Sequence, residues 1–364
     1  MQLPSNAPNN GWYNVLSDPA PARQVSGTVR APWVVLGGGL TGLSAARQLA
    51  THVPNEEIVL IEAERVGFGT SGRNSGFALD NFFQGDEVPF VDPELAKSQM
   101  RLCTGGLNLL RKLVKENDIE CGWHDWGKLH VSAGPDGAMG LEGLKKGYEM
   151  LDKEIQELNH DEVEAVTGSK FYTAGLKSKG TALMNPAALC RGLGDTLPPN
   201  VTLYENTPVH HLERGQQKRL LTTNGEVVTD QLILCTNVFS PALGFAKSDM
   251  VPIVAFASLT RPMTALEQVE ISGDSNGFGL LPTTHGGSTV RRTPDSRILV
   301  RNTWGYGPKD VSHPPLLARA QTNHIDSIKK RWPKFQDFEM GLGIEHTWGG
   351  ILGVTRNNGH VFGQ

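Results

Sequence analysis

Only four cysteines occur in 364 residues, and they are scattered. Cys103, Cys121, Cys190 and Cys235 form no C-x-x-C pair, so neither a zinc ribbon nor a disulfide scaffold is expected. They read mainly as small core residues in a reducing compartment, and the expected location is cytoplasmic. Neither charge sign is in excess: 34 basic against 38 acidic residues leave a net charge of −4. That removes the general electrostatic ground for binding nucleic acid or an anionic membrane. Long apolar runs are missing as well. The longest, Ala31–Ala46 between Arg30 and Arg47, is 16 residues and rich in glycine, whereas a spanning helix needs about 20 apolar residues. The opening MQLPSNAPNNGWYNVL lacks a basic segment followed by an apolar one, so no secretory signal is expected. No internal repeat or low-complexity tract is visible. Glycine is the exception to this list of scarcities: its 42 residues exceed the average usage of about 7 %. Without a G-X-Y period they exclude collagen and point to tight turns and close backbone approaches.

Hydrophobic residues at 38 % and charged ones at 20 % give a globular balance, and the length suits one large domain or two interleaved ones. Residues 1–30 read as an extended arm that Trp12 and Tyr13 could anchor. Trp33–Leu36 and Ile58–Ile61 read as buried strands around a helical stretch, Leu43–Leu49, making a β–α–β unit. Residues 67–80 form a Gly/Ser/Asn loop. Helical patterns follow at 93–116 and 141–158, with a strand at 126–132 between them. Pro186–Leu197 reads as a helix capped by Asn185. Strands are expected at 201–204, 218–223 and 231–234, with Asn224-Gly225 as a hairpin turn between the last two. Beyond 248 the texture turns β-rich, at 251–260, 278–290 and 297–303, before a helix at about 314–331.

Gly37-Gly38-Gly39-Leu40-Thr41-Gly42 is G-x-G-x-x-G with a strand before it and a helix after it. The first glycine makes the turn, the second admits a pyrophosphate, and the third lets helix and strand pack closely. The helix N-terminus favours the negative phosphates. Glu62 closes the second strand 25 residues after Gly37. Its carboxylate suits ribose hydroxyls and disfavours a 2′-phosphate. These features alone leave FAD and NAD both open. The crowded small and polar residues Gly69, Thr70, Ser71, Gly72, Arg73, Asn74, Ser75 and Gly76 suit a loop that wraps phosphate and the edge of a flavin.

At this point a resemblance becomes specific. VVLGGGLTGLSAARQLA followed by VLIEAERVGFGTSGRNSG resembles the FAD-dependent oxidoreductases of the D-amino-acid oxidase superfamily, on the branch of gamma-glutamylputrescine oxidase-like amine oxidases. Gly180–Pro186, Glu205–Val209, Leu234–Asn237 and the block HTWGGILGVTRNNGHVFG at 346–363 resemble further stretches of that family, so the likeness runs from about 30 to 364. It implies an α/β (mixed α+β) fold, with a Rossmann-like FAD-binding domain of the glutathione-reductase type interleaved with a β-rich substrate domain. On that reading 1–30 is the arm; 31–90, 160–247 and 340–364 bind FAD; 91–159 and 248–339 bind substrate. Cofactor contacts are implied for Gly37, Gly39, Leu40, Thr41, Gly42, Glu62, Ala63, the run Thr70–Gly76, Val209, Thr236 and Asn237.

The resemblance also implies the chemistry. FAD accepts hydride at N5 from a C–H beside nitrogen, and the resulting imine is hydrolysed. The substrate is a small-molecule amine, and O₂ or a quinone takes the electrons. His346 and Trp348 are the residues placed nearest flavin and substrate, with packing against the sheet as their alternative role; Phe82 and Phe83 could wall the pocket. No His lies between Ser71 and Pro89, where one covalent type of the family holds flavin, so FAD is expected to be non-covalent. Relatives acting on simple amino acids carry an Arg two or three residues after the block's second Gly to clamp the carboxylate. Here that position is Leu352, flanked by Ile351 and Gly353; Arg356 would serve only with a shifted register, and Arg291, Arg292 or Arg301 only from elsewhere. An amine or gamma-glutamyl-polyamine substrate is therefore favoured over a D- or N-substituted amino acid. Arg291, Arg292 and Arg297 otherwise read as solvated charge around a turn. His210 and His211 alternate along a strand and cannot readily share a metal, so no metal site is expected. The family continues past the 346–363 block into a helix near the flavin, so a shortened, FAD-binding protein without turnover is the remaining alternative.

Overall fold

The computed structural model describes residues 9–81, 92–247, 249–284, 286–307, 311–336, 343–355, 359 and 361–363. Phe82, Phe83, Arg356 and the first eight residues lie outside them. The glycine fingerprint sits in the expected β–α–β unit: strand Trp33–Leu36, helix Leu40–His52 and strand Ile58–Ile61. These strands lie at the centre of a four-stranded parallel sheet, between Gln231–Leu234 and Val201–Tyr204. Their apolar residues run without alternation because both faces are covered. Val35, Ile58 and Leu60 pack with Leu43, Ala46 and Leu193 of the helices on one side. Val34, Val59 and Ile61 pack on the other side against Val209, Leu220 and Val227 of a second sheet. That sheet runs Gly27–Arg30, Gly225–Thr229, Lys218–Thr222, Val209–Glu213, parallel in its first pair and antiparallel in the rest.

The β-rich segments form one eight-stranded mixed sheet. Its order is Ile344–Thr355, Met250–Thr260, Ile298–Tyr306, Thr289–Arg292, Phe278–Pro282, Lys128–Ser132, Ala174–Ser178, Ile155–Leu158. Helix Pro314–Arg331 packs on this sheet through Ala320 and Ile328. Helix Pro186–Asp195 starts as expected, with the Asn185 side chain accepting from the N–H groups of Ala187 and Ala188. Among the described residues no helix is long and apolar enough to cross a membrane. Nor is any group of three or more His, Cys, Asp or Glu arranged to hold a metal.

Three expectations are corrected. The helix drawn at 141–158 spans Pro135–Met150: Pro135 opens it, Asp152 takes a φ of 53° just beyond its end, and Ile155–Leu158 becomes an edge strand. The turn before Gly225 joins Lys218–Thr222 to Gly225–Thr229 and not to Gln231–Leu234, which leaves for the parallel sheet. Arg291 and Arg292 are not solvated; they are 2 % and 1 % exposed. The Arg291 Nη1 donates to the carbonyls of Ser75, Gly76 and Met184 at 2.8–3.0 Å, and its guanidinium lies over the rings of Trp12 and Phe77. Burial pulls it down to about 9. The Arg292 Nη1 donates to the Ser272 carbonyl at 2.8 Å. Arg297 pairs with Asp295 and Glu345. Arg291→Ala removes a donor from the carbonyls of Ser75, Gly76 and Met184, of which that of Gly76 keeps the Met184 N–H, so equilibrium urea unfolding should show a loss of about 3 kcal/mol; a loss below about 1 kcal/mol would contradict this role.

Candidate dinucleotide cleft

The cleft grows out of the glycine turn. Gly37 holds φ at +111°, and a Cβ there would stand 2.5 Å from the Cys235 carbonyl oxygen. A Cβ on Gly42 would stand 1.8 Å from the Gly37 oxygen, so only hydrogen fits between helix and turn. Helix Leu40–His52 has Gly39 as its N-cap and no side-chain cap of its own. Its first N–H, on Leu40, instead donates to the Ser71 hydroxyl at 3.0 Å. The hydroxyl of the Gly/Ser/Asn loop therefore marks a place where an anion's oxygen would meet the helix N-terminus.

Glu62 leaves its strand facing the turn. Its Oε2 accepts from the Gly38 N–H at 2.7 Å and its Oε1 from the Glu64 N–H at 3.0 Å. Burial pushes its carboxyl up, the two backbone donors pull it down, and Glu64 and Glu205 push it up again; the net direction is upward. Glu205 braces this edge by accepting from the Val66 N–H at 2.7 Å and pairing with Arg65 at 3.2 Å.

Gly37, Gly39, Glu62, Ala63, Thr70, Ser71, Val209, Thr236 and Asn237 all line one cleft of about 150 Å³. The remaining expected contacts serve differently. Leu40, Thr41 and Gly42 form the helix start behind it. Gly72, Arg73, Asn74, Ser75 and Gly76 make the loop's outer frame. The Asn74 amide donates to the Ser71 carbonyl at 2.7 Å, and its Oδ1 accepts from the Gly76 N–H at 2.7 Å. Arg73 is 3 % exposed; its Nε donates to the Phe68 carbonyl at 2.7 Å and its Nη1 to the carbonyls of Asn9 and Gly349 at 3.1 Å. Burial pulls this guanidinium down to about 10, against the attraction of Glu64.

Along strand Ile344–Thr355, residues 346, 348, 350 and 352 share one face. Trp348 packs there beside Trp12 and donates from Nε1 to the Arg73 carbonyl at 3.0 Å. A Cβ on Gly350 would touch the Arg73 side chain at 3.3 Å. The half-buried His346 meets the Asn9 side chain at 3.2 Å, and burial lowers its pKa. The structure thus brings the loop and the 346–350 block together, with Trp348 and His346 against the N-terminal arm. Glu205 opens the family-like stretch Glu205–Val209, but its bonds to Val66 and Arg65 leave no sequence signal, and nothing in the residue pattern marks Asn10, because their partners lie on other segments.

A family model described as FAD dependent oxidoreductase matches residues 32–364. Gamma-glutamylputrescine oxidoreductase of Escherichia coli K12 is 24 % identical, over 95 % of this chain and 79 % of its own. A probable oxidoreductase, OrdL, of Rhizobium meliloti is 26 % identical over 96 % of this chain and 79 % of its own. Among solved structures, glycine oxidase from Geobacillus kaustophilus superposes with a TM-score of 0.69 at 17 % identity, covering 92 % of this chain and 86 % of that one.

Proposed function

The chain belongs to the FAD dependent oxidoreductase family and is an FAD-dependent enzyme; from that premise we propose that it oxidises an amine, most simply an N-acylated diamine of the gamma-glutamyl type. The cleft fits the cofactor's dinucleotide half: Gly37 and Gly42 keep the turn free of side chains where a Cβ would collide. The Glu62 carboxylate stands at that turn to accept from ribose hydroxyls. When bound, FAD supplies the hydride acceptor for the C–H beside the amine nitrogen. The chain's own residues bind and orient: the helix N-terminus and Ser71 receive the pyrophosphate, and Val209, Thr236 and Asn237 border the same cleft. The partition into an FAD-binding part (31–90, 160–247, 340–364) and a substrate part (91–159, 248–339) belongs to this proposal. So does non-covalent attachment: denaturation should release all the flavin through a membrane that retains protein, and flavin that stays with the chain would contradict it.

The observation that carries the substrate class is the fate of the arginines. Arg291 is spent on the carbonyls of Ser75, Gly76 and Met184, and Arg292 on that of Ser272; Arg301 lies over the Trp304 ring and donates to the Thr289 hydroxyl at 3.4 Å. The position that would hold a carboxylate clamp is the apolar Leu352. A free amino acid would bring a carboxylate without a bidentate partner there; an acylated diamine brings none beside the reacting carbon. The relative named gamma-glutamylputrescine oxidoreductase supports the same reading. Steady-state assays with O₂ or a quinone as acceptor should give gamma-glutamylputrescine a higher kcat/KM than any D- or L-amino acid. The reverse order would overturn the substrate class.

A further inference from the structure

The family match starts at residue 32, yet residues before it reach the cofactor loop. The Asn10 side chain is fully buried, and its Nδ2 stands 3.3–3.4 Å from the carbonyl oxygens of Gly67, Phe68 and Gly72. Trp12 donates from Nε1 to the Asn74 carbonyl at 2.8 Å. The Asn9 carbonyl accepts from Arg73, and the Asn9 amide donates to the Thr347 carbonyl at 3.2 Å. Gly11 lies so close to the 346–348 strand that a Cβ on it would be 2.4 Å from the Trp348 ring.

These contacts divide the loop into two sides. Gly67, Gly69, Thr70 and Ser71 face the cleft, and the same stretch is tied from behind by the arm. A loop of Gly, Ser, Thr and Asn carries high backbone entropy, which a ligand must overcome if it orders the loop itself. Asn10 ties the first half of the loop in one step, because it reaches the carbonyls of both Gly67 and Gly72.

We infer that residues 9–12 are a positioning segment for FAD: Asn10 and Trp12 hold loop 67–74 in its binding shape before the cofactor arrives. The inference rests on the reading of the cleft as the dinucleotide site. Asn10 acts through the loop's carbonyls and not by touching the reacting atoms. Loss of its donors loosens the loop and lowers FAD affinity; the Asn10 side chain bonds to loop carbonyls, whereas Asn9 and Trp12 also reach the strand Ile344–Thr355.

The test titrates FAD into full-length, flavin-free protein and follows flavin fluorescence, alongside urea unfolding of the same flavin-free samples. Asn10→Ala should raise the FAD Kd about tenfold. Trp12→Phe, which keeps a ring beside Arg291 and removes the donor to Asn74, should raise it about threefold. A purely structural role would shift the urea midpoint and leave Kd alone. Kd values within twofold of wild type in both variants overturn the inference, whatever the midpoint. If Asn10→Ala does not fold, Trp12→Phe decides by the same criterion. Wild-type protein that takes up no FAD overturns the reading of the cleft and this inference together; wild type that binds beside unaffected variants overturns only the arm's role.

Discussion

Gly42→Ala weakens FAD binding by at least about 100-fold, near 3 kcal/mol at 25 °C. The added methyl would stand 1.8 Å from the Gly37 carbonyl oxygen and 3.0 Å from its carbon. Both are backbone atoms, so no side chain can swing away. Relief has to come from moving the helix or the turn. The helix is fixed by Leu43 and Ala46, which are buried against the parallel sheet. The turn is fixed by the Cys235 carbonyl, 2.5 Å from where a Gly37 Cβ would lie. Overpacking of this kind costs about 1–3 kcal/mol, and here it is concentrated on the helix start, where the proposed pyrophosphate site lies. Gly105→Ala is the control, since a Cβ there meets nothing within 4 Å and the residue lies in helix Pro93–Glu116, outside the cleft lining. It should bind FAD within about threefold of wild type. Fluorescence titration of both variants checks the pair; a Gly42→Ala variant with near wild-type Kd would contradict the placement of the phosphates.

Asp80→Ala has the largest expected effect on stability, a loss of about 3–5 kcal/mol. Asp80 accepts from Lys128 at 2.7 Å and from the Thr181 hydroxyl at 2.9 Å, and it also pairs with Lys153. Lys128 is 1 % exposed. Without the carboxylate two ammonium groups stay in this pocket, over the face of the Tyr148 ring. The pH dependence follows from two shifts. Burial pushes the Asp80 carboxyl up, but Lys128 and Lys153 outweigh it and hold it below its ordinary value. Its contribution is therefore complete above the unfolded carboxyl's pKa of about 3.9 and is lost as pH falls through the lower folded one. Burial holds the Lys128 ammonium below its ordinary value despite Asp80. In Asp80→Ala it falls further, so the variant gains stability relative to wild type as pH rises toward the unfolded Lys pKa of about 10.4. Urea unfolding at pH 7 and pH 10 checks this. A difference that stays constant would contradict the cluster's charge.

The parts legible in the sequence are those whose signal is local. The β–α–β unit announces itself within Trp33–Glu62 because a strand, a turn without side chains and a helix start each leave a pattern over a few residues. Helix Pro186–Asp195 is readable for the same reason, through Asn185 and Pro186. Arg291 was not readable. Its three carbonyl partners, on Ser75, Gly76 and Met184, are brought to it only when the eight-stranded sheet meets the Gly/Ser/Asn loop and the segment before helix Pro186–Asp195. The same holds for Asn10: one polar residue in a polar arm carries no mark of the loop more than fifty positions away that it ties down. The residues Ile155–Leu158 were absorbed into a helix pattern because the positive φ at Asp152 that separates them has no reliable sequence signal.

The most direct measurement of the central claim is anaerobic reduction of the bound flavin. The protein, loaded with FAD and freed of O₂, is mixed with gamma-glutamylputrescine, simple amines, and D- and L-amino acids, and the flavin absorbance is followed. Rapid bleaching is expected with the acylated diamine, slower or no bleaching with free amino acids, and return of the colour when O₂ or a quinone is admitted. Flavin that stays oxidised with every amine and amino acid would contradict it.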